Sequence, residues 1–198
     1  MQVKRNEEIL DWISIGVNIF TVVGVIVAIY VAWHTVKNDK KNLKLQGLGL
    51  VFEKFNNPDA RKSRYRILNA YTKYLQSKNL PNDFTPSNFY EHERVDLTEI
   101  NPELKSDIIK VKSDFEEVAV MEKNGMIDEN AYFDAYVGMI LRCFAALHGN
   151  IENTRIKTKT SHYTKYFEEQ CERAIHYWRL YHDKDHVFYY HDDVENLK

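Results

Sequence analysis

Apolar side chains fall along this chain in two patterns: one unbroken run near the start, then a series of stripes that recur every third or fourth residue. The run is WISIGVNIFTVVGVIVAIYVAWHTV at 12–36, and it contains no Asp, Glu, Lys or Arg. As a helix rising about 1.5 Å per residue it would extend roughly 37 Å, beyond the ~30 Å of a bilayer's hydrocarbon core. It is too long for the apolar core of a secretory signal, and no Ala-x-Ala site follows it. Few helices of soluble cores stay uncharged on every face for so long. The run therefore predicts a transmembrane helix, with Trp12 at one end and Tyr30 and Trp33 at the other as interfacial rings. Lys37, Lys40, Lys41 and Lys44 outweigh Lys4 and Arg5, so residues 1–11 are expected outside and the rest in the cytoplasm, as in a single-pass protein of the cell membrane.

Beyond the run, residues 37–56 read as a juxtamembrane connector, charged at first and then amphipathic, with Gly47 and Gly49 predicting a bend or break. Asn57-Pro58-Asp59 is a helix start, with a capping side chain, proline at the first helical position and an acid in the first turn. The helix it opens has Tyr65, Leu68, Tyr71 or Thr72, and Leu75 on its apolar face. Periodicity fails from Asn79 to Ile100, where Pro81 and Pro86 mark a long loop, shortened at most by a brief helix near 89–94. Leu104, Ile108, Val111, Phe115, Val118 and Glu122 then alternate steps of four and three, up to a left-handed cap at Asn124-Gly125.

Asp128 opens a further helix with a broad stripe from Tyr132 to Leu147, which His148-Gly149-Asn150 is expected to end or bend. A last helix covers about 161–183, and the acidic, His-rich tail 184–198 lacks periodicity and reads as mobile. No segment alternates as a sheet strand does. The fold class is all-α: one N-terminal transmembrane helix, then a cytoplasmic bundle of four or five helices over 57–183.

Composition narrows the function classes. A net charge of −2 argues against a nucleic-acid binder driven by overall basic charge. Cys143 and Cys171, both within helical patterns, read as reduced buried side chains. No phosphate-binding, kinase or nucleophile-elbow signature is present in the sequence, and neither cysteine lies in a CxxC. Glu168, Glu172 and His176 stack at four-residue spacing, but the Glu-x-x-His spacing of bundle metal sites is missing, so neither a metal nor a cofactor is predicted.

Two sets of residues stand out instead. In the span, Gly24, Ala28 and Ala32 make a small-residue groove at four-residue intervals and Asn18 adds a hydrogen-bonding group, which predicts association with another membrane helix. In the bundle, Arg61 and Arg64 share a helix face, while Glu116 or Glu117, flanked by Phe115 and Val118, is held at the core boundary. At least one Arg–Glu pair is expected to join these helices.

The stretches FNNPDARKSRYRIL at 55–68 and VKSDFEEVAVMEKNGMIDENAYFDAYVGMILRCF at 111–144 carry a resemblance. With Ala60, Arg61 and Arg64 in the first and Phe115, Glu116, Val118, Gly125, Ile127 and Asp128 in the second, the chain resembles an uncharacterised prokaryotic family of membrane-anchored helical proteins. That resemblance implies a span followed by a cytosolic bundle and no established activity. The expected function is a membrane-anchored helical binding or scaffold module, an accessory subunit of a membrane assembly in contact with lipid and another membrane helix. A ligand- or lipid-sensing regulator is the alternative, and a metal-dependent enzyme a weaker one.

Overall fold

The computed structural model describes residues 2–182 and 186–189, with side chains from residue 23 onward. It is mostly helical. The elements are α1 (Gln2–Asn56), α2 (Pro58–Ser77), β1 (Asp83–Phe84), α3 (Leu97–Ile100), α4 (Lys105–Lys123), α5 (Glu129–Thr158), α6 (Lys165–Tyr181) and β2 (Phe188–Tyr189), with 3-10 turns at Phe89–Glu91 and Pro102–Leu104. Two compact units divide at residue 43.

The first unit, residues 1–43, belongs almost wholly to α1. No helix among the described residues is long and apolar enough to cross a membrane. The stretch 12–22 of the span expected at 12–36 lies outside the residues whose side chains are described, as does Asn18. From residue 23 onward the apolar side chains of this unit face outward: Ile29 is 64% exposed and Trp33 60%.

The second unit, residues 44–198, holds the core. Here α1 does not break at its glycines. Its backbone stays helical through Gly47 and Gly49 to Asn56, and it buries Val51 and Phe55. The physical reason is proximity: a Cβ on Gly47 would sit 2.0 Å from the carbonyl oxygen of Met126, so glycine lets α1 lie against the α4–α5 turn, whereas a Cβ on Gly49 would meet nothing within 4 Å. Asn57 caps α2, its side chain accepting from the amides of Asp59 and Ala60 at 2.9 and 3.4 Å. The buried face of α2 runs through Ile67, Leu68, Tyr71 and Leu75, while Tyr65 is exposed.

The seam predicted on α4, including Glu122, is buried throughout, and Gly125 takes the left-handed conformation at φ 69°. Phe115 stacks on Phe167 of α6 at 4.5 Å between ring centroids and packs against Phe55 of α1 at 4.9 Å. The central helix α5 does not end at His148-Gly149-Asn150 but continues to Thr158. Gly149 is buried because the chain crosses it: a Cβ there would fall 2.4 Å from the backbone carbon and oxygen of Val95. Behind α6 the chain returns, and β2 pairs antiparallel with β1, Phe84 opposite Phe188. Their rings stack at 5.2 Å. Residues 186–189 of the tail are thus docked by a two-residue ladder that has no counterpart in the hydropathy pattern.

Candidate functional site

The residues expected to pair across α2 and α4 take other partners. Arg61 is exposed. Arg64 is buried, donates from Nη2 to the Phe55 carbonyl oxygen and lies over the Phe55 ring, tying α2 to the end of α1. Glu116 accepts from the backbone amides of Tyr166 and Phe167 at 3.2 and 2.8 Å, so it caps α6, whose own Thr164 makes no side-chain cap. Glu117 binds Lys54 at 2.7 Å, and Asp114 binds the same lysine at 3.1 Å. The charges that join α2 to α4 are instead Arg66 and Asp107, with Arg66 Nη1 2.7 Å from Asp107 Oδ2 in charge contact, while Ser63 donates to Asp107 Oδ1 at 2.7 Å. The expected Arg–Glu pairing is thereby corrected. Of the small residues in the first unit, Gly24, Ala28 and Ala32 are exposed, and a Cβ on Gly24 would meet open space.

The most polar ground of the core lies where α5 passes under the loop 85–98. Lys112 of α4, only 3% exposed, donates to Asn150 Oδ1 at 2.5 Å and faces the Tyr163 ring at 4.7 Å. Asn150 passes the interaction on, its Nδ2 donating to Asp96 Oδ1 at 2.7 Å. Asp96 also accepts from the Thr98 amide and hydroxyl and from Asn153. Burial alone would raise the Asp96 pKa, but these donors outweigh it and hold the carboxyl below its ordinary range.

One turn earlier on α5, His148 Nδ1 lies 3.0 Å from His92 Nε2, and His92 Nδ1 lies against the Phe89 carbonyl oxygen. A carbonyl oxygen only accepts, so His92 carries its proton on Nδ1 and its Nε2 accepts from His148 Nδ1. Neutral His148 is then left with a bare lone pair at Nε2, 3.3 Å from a carboxylate oxygen of Glu152 that Arg94 holds at 2.7 Å. A proton taken up at this Nε2 would lie between the two and make the contact a charged pair.

Burial, then the neighbouring His92 and Arg94, push His148 down to about 4; burial and Arg94 also lower His92 against the opposing pull of the Phe89 carbonyl. Because the unfolded histidines would take up protons near 6.5, the unfolded chain binds more protons than the folded one between about pH 4 and 6.5. Stability is expected to be full above about pH 6.5 and to fall toward pH 4 by on the order of 2 kcal/mol, with the Asp96 contribution lost only below that. Chemical denaturation of the full chain at a series of pH values reads this directly. The His148→Gln variant should flatten the profile, and an unchanged slope would count against the assignment.

The hydropathy pattern did not point to Lys112, His92, His148, Asn150 or Asp96 as a group. One signal was present: His148, in register with Phe144, and Asn150, in register with Cys143 and Leu147, interrupt an otherwise apolar stripe, which marks polar groups that need buried partners. Glu168 pairs with Arg155 at 2.8 Å and His176 is exposed. Among the described residues no three His, Cys, Asp or Glu side chains converge as a metal site.

The lone pairs and buried charges lie within the stretch matched by a family model over residues 18–174. The chain belongs to the family described as domain of unknown function DUF4760. The DUF4760 match begins within α1 and ends within α6, so it takes in every helix described above at least in part. It accords with the expectation of an uncharacterised helical family. No curated protein and no solved structure matches the chain.

Proposed function

We propose that this protein is a membrane-anchored helical binding or scaffold module of a prokaryotic cell, with residues 12–36 as its span and its bundle on the cytoplasmic side. The observation that carries the reading is the outer surface of α1. Val23, Val25, Ile26, Val27, Ile29, Val31 and Val36 are all exposed, and consecutive helical positions put them on every face. Each such side chain forgoes about 1.5–3 kcal/mol of burial, which lipid or a partner helix would recover.

The chemistry at the end of the stretch supports the same reading. Tyr30 and Trp33 sit with ring centroids 6.5 Å apart, and Lys37 Nζ lies 5.3 Å from the Trp33 ring, the combination of amphipathic rings and cation that suits a headgroup layer. Gly24, Ala28 and Ala32 offer a smooth face for a second membrane helix. Nothing catalytic is required by this role, and an accessory subunit of a membrane assembly is its most direct form.

Cysteines introduced at Asn6 and Asn196 test it with a membrane-impermeant thiol reagent. Labelling is expected at position 6 in intact cells and at position 196 only after permeabilisation. The reverse pattern would overturn the orientation, and release of the chain from membranes by an alkaline carbonate wash would overturn the anchor.

A further inference from the structure

Two of the glycines on α1 are not required by the chain that carries them. Glycine is unfavourable inside a helix relative to alanine. Gly47 is explained by the Met126 carbonyl, but a Cβ on Gly24 or on Gly49 would meet nothing within 4 Å. Both fall on one stripe. Steps of four and three lead from Gly24 through Ala28, Val31, Thr35 and Asn38 to Asn42. The same spacing continues in the sequence through Leu45, Gly49 and Phe52 to Asn56. Every position of the stripe is exposed, Val31 to 55%, Leu45 to 58% and Phe52 to 64%. None carries a charge, although Lys37, Asp39, Lys40, Lys41, Lys44, Glu53 and Lys54 crowd the rest of this part of the helix.

We propose that this stripe pairs with the same stripe of a second copy of the chain, as a parallel two-stranded coiled coil along α1. Alternating steps of four and three average 3.5 residues, the repeat that keeps one seam facing a partner helix over many turns. The shared direction rests on the membrane-anchored reading, since two chains anchored the same way run parallel.

The flanking charges favour a second copy in register. In a parallel pair, the position just before each first seam residue of a heptad faces the one five residues further along the other helix. His34 of one copy then meets Asp39 of the other, Lys41 meets Gln46 and Leu48 meets Glu53, so no like charges are set together. A seam of the same spacing through Lys37, Lys40 and Lys44 would set lysine against lysine. Asn42 makes no side-chain hydrogen bond among the described residues. Its amide both donates and accepts, so its own counterpart across the seam satisfies it. At Gly24 and Gly49 the missing side chains let the neighbouring backbone come close.

The test is disulfide cross-linking of the full chain in isolated membranes, with copper-phenanthroline as oxidant. Cys143 and Cys171 are both buried, so a cysteine introduced on the outside of α1 is the reactive thiol. Asn42→Cys, Leu45→Cys and Phe52→Cys are expected to form covalent dimers about tenfold more readily than Leu43→Cys and Leu50→Cys, exposed positions one residue off the stripe. In the Leu45→Cys chain, adding Asn42→Asp sets two carboxylates together and should cut the dimer about tenfold, whereas adding Leu43→Asp should leave it unchanged. Cross-linking at no position, at all positions alike, or to a protein of another mass would overturn the pairing, as would dimer yields unchanged by Asn42→Asp. An alkaline carbonate wash of the same membranes reports the anchor separately. A chain that is retained but does not cross-link sinks the pairing and leaves the anchor standing. A chain that is released but still cross-links on the stripe keeps the pairing and sinks the anchor.

Discussion

Gly47→Ala is expected to destabilise the bundle by about 3 kcal/mol, although alanine is the better helix former by roughly 1 kcal/mol. The new methyl would sit 2.0 Å from Met126 O and 3.0 Å from its carbonyl carbon, distances that no side-chain rotation relieves because both atoms are backbone. Either α1 must lift off the α4–α5 turn or the turn must move. That turn is already fixed by Gly125 in its left-handed conformation and by Ile127 buried against the core. Lifting α1 would loosen Val51 and Phe55, and with them the contact of Phe55 with Phe115.

Gly49 supplies the control two residues away. It lies on the same helix, has nothing within 4 Å of its virtual Cβ, and Gly49→Ala should be neutral or stabilising by up to about 1 kcal/mol. Thermal unfolding of both variants in detergent separates them, with a fall in Tm of roughly 6–12 °C for Gly47→Ala. Equal stability of the two would show that the approach of α1 to Met126 is not tight.

The two glycines also show how far the sequence alone reaches. In the sequence they are the same signal, two helix-weakening residues close together, and they predict a bend. Their difference is set by Met126, some eighty positions away, and helical periodicity carries no information about what lies opposite a face. The same limit explains the arginine–glutamate expectation. Burial of Phe115 and Val118 rightly implied that the carboxylates between them needed partners. A slip in relative register between α2 and α4 is enough to bring Arg66 to Asp107 and leave Glu116 to the amides of α6.

Faces were legible, because the alternation of four- and three-residue steps on α4 follows directly from 3.6 residues per turn. Pairings were not. His148-Gly149-Asn150 illustrates both points at once. A glycine between two polar residues reads as a stop in one dimension, yet in three dimensions the glycine admits the Val95 backbone, and the histidine and asparagine reach His92 and Asp96 on the chain that crosses there.

Asn150→Leu is expected to be the most damaging single substitution in the polar core, at roughly 3–5 kcal/mol, because it removes the hydrogen-bond acceptor that, among the described residues, holds a lysine only 3% exposed. The Lys112 ammonium would keep the Tyr163 ring, whose attraction is worth about 1–2 kcal/mol and does not replace a charge-assisted hydrogen bond. Asp96 would lose one donor but keep Thr98 and Asn153, so the damage is concentrated on the lysine. Lys112→Met alone leaves Asn150 Oδ1 without its donor and should cost less, about 1–3 kcal/mol. The double variant Lys112→Met/Asn150→Leu removes the buried charge together with its acceptor, and it should be more stable than Asn150→Leu alone, with a coupling of about 1–3 kcal/mol in the cycle. Chemical denaturation of the four proteins measures it. Additive effects would mean that Lys112, freed from Asn150, swings out into the neighbouring groove beside Ser113 and His162 and is solvated there, so that the asparagine orients the lysine but does not sustain its burial.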